Sequence, residues 1–160
     1  MRKANREVKD RAGIVSIIEA SEVCRIGMYA AGEVYIVPMN FGYDMAEDGT
    51  LTLYFHCANE GRKLDMIAQN PNVCFEMDTN HQYIPSKDEK ACGASAIFAS
   101  IIGNGFIEIL IDHDERIHAL TQLMKHYSKD DHFEFGEKAL AATTVLKLTA
   151  TNYTGKKSER

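Results

Sequence analysis

The sequence contains no tryptophan, only three prolines and no hydrophobic run long enough to cross a membrane. Its longest apolar stretches, such as Ile97–Ile102, are far shorter than the roughly 18 residues that a membrane helix needs. The low proline and glycine contents exclude collagen-like and low-complexity chains. No internal repeat or linker is present, and 160 residues are enough for one hydrophobic core. We therefore expect a single domain over residues 1–160 and no membrane association.

The four cysteines lack the close pairing that zinc sites and small disulfide scaffolds use. They are Cys24, Cys57, Cys74 and Cys92. No H-E-x-x-H motif is present, and the spacing of His113 and His118 does not place both on one face of a helix, so we expect no metal site. The N-terminal segment does not resemble a signal peptide, because the apolar stretch Ile14–Ile18 is short and Glu19 follows it. These features favour a cytoplasmic protein with reduced cysteines.

Positive charge is scarce in the body of the chain. Residues 1–11 carry a net charge of +3 and residues 155–160 carry +2, although the whole chain carries −5. The residues between these two ends therefore carry −10. A nucleic-acid duplex requires clustered lysine and arginine, so we expect no nucleic-acid partner. The basic ends are interpreted as solvated termini.

Hydrophobic periodicity predicts a mainly β chain with a few helices. The predicted strands are Cys24–Ala30, Glu33–Tyr43, Leu51–Cys57, a segment with Val73, Phe75 and Met77 on one face, Ser95–Ile111 with a bulge near Gly103–Gly105, and Val145–Thr151. The predicted helices are Asn5–Ala20, Gly61–Gln69, Asp112–Ser128 and Phe133–Ala142, and residues 81–92 are expected to form a loop. Short turns, such as the one at residues 47–50, favour antiparallel pairing. The pattern fits a small closed or half-closed β-barrel with peripheral helices.

The most informative segment joins the strand Leu51–Cys57 to the helix that opens with Gly61, Arg62 and Lys63. The start of a helix presents free N–H groups and a partial positive charge, so two cations there are unfavourable for the helix itself. An anion at this point, a phosphate above all, would explain them. The alternative is a solvated turn, and the adjacent Glu60 is a slight argument for it.

Three further residues are candidates for the same site. His56 shares a strand face with Tyr54 and precedes the Gly61 turn, so it could contact a ligand or transfer a proton, or be an ordinary strand histidine. Asn40 follows Pro38, which cannot donate a ladder hydrogen bond and so predicts a sheet edge or a bulge. Ser100 is interpreted either as a core serine or as a ligand donor.

The sequence resembles the flavin split-barrel family of pyridoxamine 5′-phosphate oxidase-like FMN-binding proteins. It is most similar to the branch of 5-nitroimidazole antibiotic-resistance proteins. The resemblance spans nearly the whole chain, and the segment that ends in Gly-Arg-Lys is its most specific part. The matching segments are residues 1–6, Val37–Tyr43, Leu53–Lys63, Phe98–Gly105 and Leu146–Lys156.

This resemblance implies a six-stranded antiparallel Greek-key split barrel and a homodimer with FMN at the subunit interface. Arg62 and Lys63 would bind the FMN phosphate. His56 would be the candidate catalytic or substrate-contacting residue. The remaining implied cofactor contacts are the backbone of Pro38, Met39, Asn40 and Phe41 along the isoalloxazine ring, Phe55 and His56 beside it, and Ser100.

The resemblance implies an FMN-dependent oxidoreductase that reduces small oxidised substrates such as nitroaromatics. Pyridoxamine 5′-phosphate oxidases proper carry an arginine-containing substrate motif near the C-terminus, and Thr154–Arg160 does not contain it. We therefore do not expect vitamin B6 synthesis. The alternatives are a non-catalytic flavin or haem protein, with His56 as a possible ligand, and a dimeric interaction domain without a cofactor.

Overall fold

The computed structural model describes residues 3–87 and 90–159 of the chain. The helices in this part are α1 Arg11–Ala20, α2 Arg62–Gln69, α3 His113–Tyr127 and α4 Glu137–Ala141. The strands are β1 Glu7–Val8, β2 Cys24–Ala30, β3 Glu33–Met39, β4 Gly42–Met45, β5 Leu51–Ala58, β6 Asn72–Ile84, β7 Ser95–Ile109 and β8 Thr143–Ser158. Residues 1 and 2 of the basic N-terminal segment, and residue 160 of the basic C-terminal one, lie outside the described ranges.

The strands form one antiparallel sheet whose two ends are joined by the chain. Its order is β3-β2-β6-β7-β8-β5-β4, and β1 pairs with β8 beside this path. β3 and β4 lie at opposite ends of the path, yet only Asn40 and Phe41 separate them in sequence. The sheet therefore curls until its edges approach each other at the β3–β4 corner (residues 40–42). The predicted antiparallel split barrel with peripheral helices is confirmed, with eight strands in place of six.

Large apolar side chains fill the inside of the barrel. On β5 and β6 they alternate with outward residues as predicted, so that Leu53, Phe55 and Phe75 are fully buried. The inner residues of α1 and α2 belong to the same cluster. A second, smaller cluster lies on the outer surface of the sheet, where Tyr54 of β5 and Leu120 of α3 pack together.

Two helix predictions need correction. The N-terminal helix begins at Arg11 rather than at Asn5, because Asp10 caps it by accepting the Gly13 N–H at 2.8 Å. Residues 7 and 8 form β1 instead and pair with Lys156 and Gly155 of β8. The last helix covers only Glu137–Ala141, which is shorter than the predicted Phe133–Ala142.

Three strand predictions also change. The predicted strand Glu33–Tyr43 is broken at the corner into β3 and β4. β6 continues to Ile84, into the expected loop, after an irregularity between Thr79 and Gln82. β8 runs to Ser158 although its second half is polar, because β7 and β1 pair with it on its two sides. Backbone hydrogen bonds on both sides hold this half as a strand, and side-chain patterning does not reveal them.

Candidate functional site

The start of α2 has the features of an anion site. β5 ends at Ala58, and Gly61 is the N-cap of α2 with φ at +137°, a conformation that side chains rarely adopt. A Cβ at Gly61 would meet nothing within 4 Å, so the space beside this backbone is open. No side-chain cap closes this helix end, whose first N–H groups lack intrahelical partners. Arg62 and Lys63 follow directly in the first turn.

Arg62 connects α2 to β3. Its Nη2 atom lies 2.7 Å from Oε2 of Glu33, and its guanidinium carbon lies 4.7 Å from the centre of the Tyr35 ring. Both charged side chains of the pair are more than half exposed, so the ion pair contributes on the order of 1 kcal/mol or less. A phosphate can therefore replace Glu33 as the partner of the Arg62 guanidinium at a small cost in free energy.

Lys63 lies beside the end of β5. Burial raises the pKa of the Cys57 thiol, and the nearby Lys63 ammonium lowers it in part. The cationic pair at the start of α2 therefore faces both β3, through Arg62, and β5, through Lys63. The structure brings these two predicted residues together at the point where the sequence analysis places them.

His56 and Phe55 lie on opposite faces of β5. His56 is exposed on the outer face, where its register partner on β8 is Val145. The Phe55 side chain is fully buried in the barrel, so this residue has only its backbone to offer a ligand. Of the two predicted contacts beside a flavin, His56 is therefore the one with an available side chain.

The β3–β4 corner holds the remaining predicted ring contacts. β3 is an edge strand, as the presence of Pro38 predicts. Asn40 is exposed, whereas the side chains of Met39 and Phe41 are buried. The Phe41 N–H donates to the hydroxyl oxygen of Tyr127, on α3, at 3.0 Å.

The sequence matches the model of the pyridoxamine 5′-phosphate oxidase family over residues 10–157. This chain belongs to that family. The matched range contains β2 to β7, the β3–β4 corner and the start of α2. The family resemblance in the sequence is thereby confirmed. No curated protein matches the sequence significantly.

Solved structures of several proteins share the fold of this family member. A candidate 5-nitroimidazole antibiotic resistance protein from Bacteroides thetaiotaomicron VPI-5482 is 33% identical, with a TM-score of 0.79 over 96% of this chain and 90% of that one. The flavocytochrome Anf3 from Azotobacter vinelandii is 16% identical, with a TM-score of 0.80 over 100% and 72% of the two chains. A FAD and heme binding protein from Mycobacterium smegmatis is 18% identical, with a TM-score of 0.80 over 97% and 74%. The last two similarities establish the fold alone.

Ser100 is separated from the other predicted residues in this family member. It lies on the outer side of β7, opposite Asp78 of β6 and Lys156 of β8. β2 and β6 stand between β7 and β3, and three strand spacings amount to roughly 14 Å. Within one chain, Ser100 is therefore separated from the residues of β3 at the corner.

The sequence analysis missed a bare apolar face on the outside of the sheet. Its exposed large side chains come from β2, β3 and β7, namely Tyr29, Val34, Ile36, Ile102 and Phe106. Between them runs a groove of about 660 Å³ whose floor includes Gly27, Cys74 and Asn104. The sequence does contain a signal for this face. Along β3, apolar residues that point outward alternate with residues that line the inside, and the outward ones are Val34, Ile36 and Pro38. Strand patterns alone, however, do not show which side of an edge strand faces the core.

Two other kinds of site are not found in the described part of the chain. Residues 3–87 and 90–159 contain no cluster of three or more histidine, cysteine or acidic side chains suited to a metal ion. No helix within the same ranges is long and apolar enough to cross a membrane.

Proposed function

We propose that this protein binds FMN between two copies of the chain and acts in the cytoplasm as an oxidoreductase. Its substrates would be small oxidised molecules such as nitroimidazole-type nitroaromatics. The observation that carries the proposal is the open, uncapped start of α2 with Arg62 and Lys63, in a chain of the pyridoxamine 5′-phosphate oxidase family. The candidate nitroimidazole resistance protein, at 33% identity, supports the substrate class.

The residues present at the start of α2 fit a phosphate monoester. Arg62 can offer two parallel N–H donors and Lys63 a point charge, while the free N–H groups of the first turn add further donors. Glu33 holds Arg62 at 2.7 Å and would share it with a bound phosphate. The open space beside Gly61 leaves room for the group, which any larger residue would reduce.

The corner and His56 would hold the ring system of the cofactor. FMN, when bound, supplies the hydride and electron chemistry of the reaction. The protein contributes the backbone of residues 38–41 on one side and His56 on the other, each at the end of a strand that leads to the phosphate site. His56 is free to bind an oxidised substrate or to deliver a proton to it, because its side chain is exposed.

The bare apolar face supports a homodimer. Large exposed apolar residues on neighbouring strands are typical of surfaces that another protein covers. The same face carries both signs of charge, with Arg25 bound to Glu76 and Asp78, and Lys156 two strands away from Asp78. Two copies related by a two-fold axis can therefore match opposite charges around an apolar centre. In such a dimer, Ser100 of one copy could approach the flavin of the other.

A flavin-binding measurement tests the cofactor and its phosphate contacts together. The purified protein is expected to be yellow and to release FMN on denaturation, as identified by mass. FMN and riboflavin differ only in the phosphate, so their affinity ratio reports the phosphate site. The variant Arg62→Ala with Lys63→Ala should lose most of the preference for FMN while it retains riboflavin binding.

The matched control removes two exposed lysines far from this site. Lys9→Ala with Lys87→Ala changes the net charge equally and should keep the preference for FMN, because Lys9 follows β1 and Lys87 follows the end of β6 that lies away from α2. An unchanged preference in the Arg62 and Lys63 variant would refute the phosphate assignment. Release of FAD would retain a flavin site and correct the cofactor, and failure to bind any flavin would refute the proposal.

A non-catalytic flavin or haem protein is the second candidate function. It is supported by the fold shared with a flavocytochrome and with a FAD and heme binding protein. The two functions differ in turnover with a reduced nicotinamide nucleotide and a nitroaromatic acceptor. Flavin that this donor cannot reduce, or a haem absorption band that His56→Ala abolishes, would favour the second function.

A further inference from the structure

The C-terminal end of α3 fixes the conformation of the β3–β4 corner. The Tyr127 hydroxyl donates to the carbonyl oxygen of Glu22 at 2.7 Å and accepts the Phe41 N–H at 3.0 Å. One hydroxyl thus connects the corner to the segment between α1 and β2. Both of its hydrogen-bonding functions are used, which defines its direction.

The neighbouring His126 holds the same corner through packing. Its ring centre lies 4.4 Å from that of Phe41, and its Nε2 atom lies 2.8 Å from the carbonyl oxygen of Ser21. Gly42, the last residue of the corner, lies directly against α3, because a Cβ there would overlap the backbone of Gln122 and Leu123. The helix therefore fits the corner closely.

The hydrogen bond to the Phe41 N–H also determines where the preceding carbonyl points. This N–H and the Asn40 carbonyl belong to one peptide plane, and none of the described peptide bonds is cis. In a trans peptide the N–H and the C=O point in opposite directions. Because the N–H is directed to α3, the Asn40 carbonyl is directed away from α3, out of the corner.

We propose that Tyr127, assisted by His126, is a positioning residue for the flavin site. It orients the Asn40 carbonyl as a hydrogen-bond acceptor for the N–H group at the pyrimidine edge of the isoalloxazine ring. This inference rests on the proposed FMN site and adds a residue outside it. In this role the hydroxyl acts on the flavin through a single peptide plane. Without the hydroxyl the plane can rotate, and the acceptor loses its fixed direction.

Tyr127→Phe tests the proposal, with Tyr153→Phe as its matched control. The Tyr153 hydroxyl also donates to a backbone carbonyl, that of Gly49 at 2.7 Å, but away from the corner. Tyr127→Phe should weaken FMN and riboflavin binding equally, by about three- to tenfold, the effect of one lost hydrogen bond. It should also shift the absorption bands of the bound flavin and accelerate hydrogen exchange at the Phe41 amide. Tyr153→Phe should change none of these.

Each outcome decides the proposal. If Tyr127→Phe accelerates Phe41 exchange but retains the wild-type flavin affinity and spectrum, the hydroxyl holds the corner without serving the flavin, and the proposal is overturned. Equal losses of flavin affinity in both tyrosine variants would indicate a general loss of stability and overturn it too. Failure of the wild-type protein to bind flavin would refute the proposed function itself, which the wild-type titration reveals before any variant is compared.

Discussion

The outer surface of the sheet has two regions, one covered by a helix of the same chain and one exposed. Over β4 and β5, α3 covers the strands, and Tyr54 lies in a buried cluster with Leu120. There the Tyr54 hydroxyl donates to Asp44 at 2.8 Å, and Nε2 of His118 lies 2.7 Å from the same carboxylate oxygen. Over β3, β2, β6 and β7, the bare apolar face keeps side chains such as Ile36 62% exposed.

One half of the sheet surface therefore stabilises the chain itself, and the other half is the surface that we propose binds a second copy. The covered half obtains its partner from the same chain, through a helix whose N-terminus Asp112 caps. The bare half has side chains of the same apolar kind with nothing of the described chain on them. These exposed apolar residues lower the solubility of the single chain and do not stabilise it. That is expected of a surface that a second copy covers.

The largest expected effect comes from placing charge on the bare half. Ile36→Asp with Ile102→Asp would bury four carboxylates in a two-fold dimer, and the dimer dissociation constant should rise by about 100-fold or more. Sedimentation and light scattering measure the change, and the monomer should also release FMN. Ile111→Asp is the control, because Ile111 is 89% exposed and lies after β7, off the bare face. A dimer that tolerates the double substitution would place the interface elsewhere.

A moderate effect is expected from a substitution on the covered half, where the stability of the folded chain should fall. Leu120→Ala leaves a cavity under α3 and should lower the free energy of unfolding by about 2–4 kcal/mol. Met124→Ala, on the exposed side of the same helix, should cost well under half as much. Denaturant unfolding at one protein concentration checks both variants. If Leu120→Ala instead produced monomers that are as stable as the wild type, the assignment of the two halves would be reversed.

The smallest effect is a pH dependence that arises from Tyr54 of the covered half and from Tyr43, whose ring packs against the core inside the barrel. Burial, followed by the hydrogen bond to Asp44, raises the pKa of Tyr54 above its ordinary value of 10.0. Burial and the nearby Glu19 likewise raise the pKa of Tyr43 to about 12. A raised pKa means that the folded protein keeps protons that the unfolded chain loses. The stability that these two tyrosines contribute is therefore complete below pH 10 and falls as the pH rises above it.

Unfolding at a series of alkaline pH values measures this slope. Tyr54→Phe should reduce it, and Tyr54→Phe with Tyr43→Phe should reduce it further. The part that remains is expected from Cys24, whose pKa burial raises from 9.0 to about 12. Hydrogen exchange should locate the loosening in α3 and β4 rather than in β2 and β3. A slope that both substitutions leave unchanged would contradict the assignment to these tyrosines.

Local patterns in the sequence predict most of the elements and the cationic end of α2. Asp112 predicts the start of α3, and the alternation of Leu51, Leu53 and Phe55 predicts the buried side of β5. Arg62 and Lys63, which follow Gly61, predict an anion site because two cations in the first turn of a helix oppose the helix dipole. These features depend on neighbours within a few residues, which is the information that one sequence contains.

The features that the sequence does not reveal depend on residues far apart in the chain. Tyr127 binds Phe41 across 86 positions, and Glu33 binds Arg62 across 29. The break of the strand at Asn40 follows from the closure of the barrel, and the polar half of β8 is a strand because β1 and β7 flank it. Ser100 is a further example. The alternation along β7 predicts which face of the sheet Ser100 lies on, but its distance from Pro38 depends on the order of the strands in the sheet.

The place of β8 in the sheet has a consequence for the synthesis of the protein. β8 is the last strand in the described sequence, yet it lies in the middle of the sheet and joins β7 to β5. While the ribosome is still translating residues before 143, β4 and β5 can pair only with each other, and β5 and β7 each have one open edge. The barrel therefore closes only after its C-terminal strand leaves the exit tunnel. Until then the nascent chain exposes unpaired strand edges, which makes it a candidate client for chaperones.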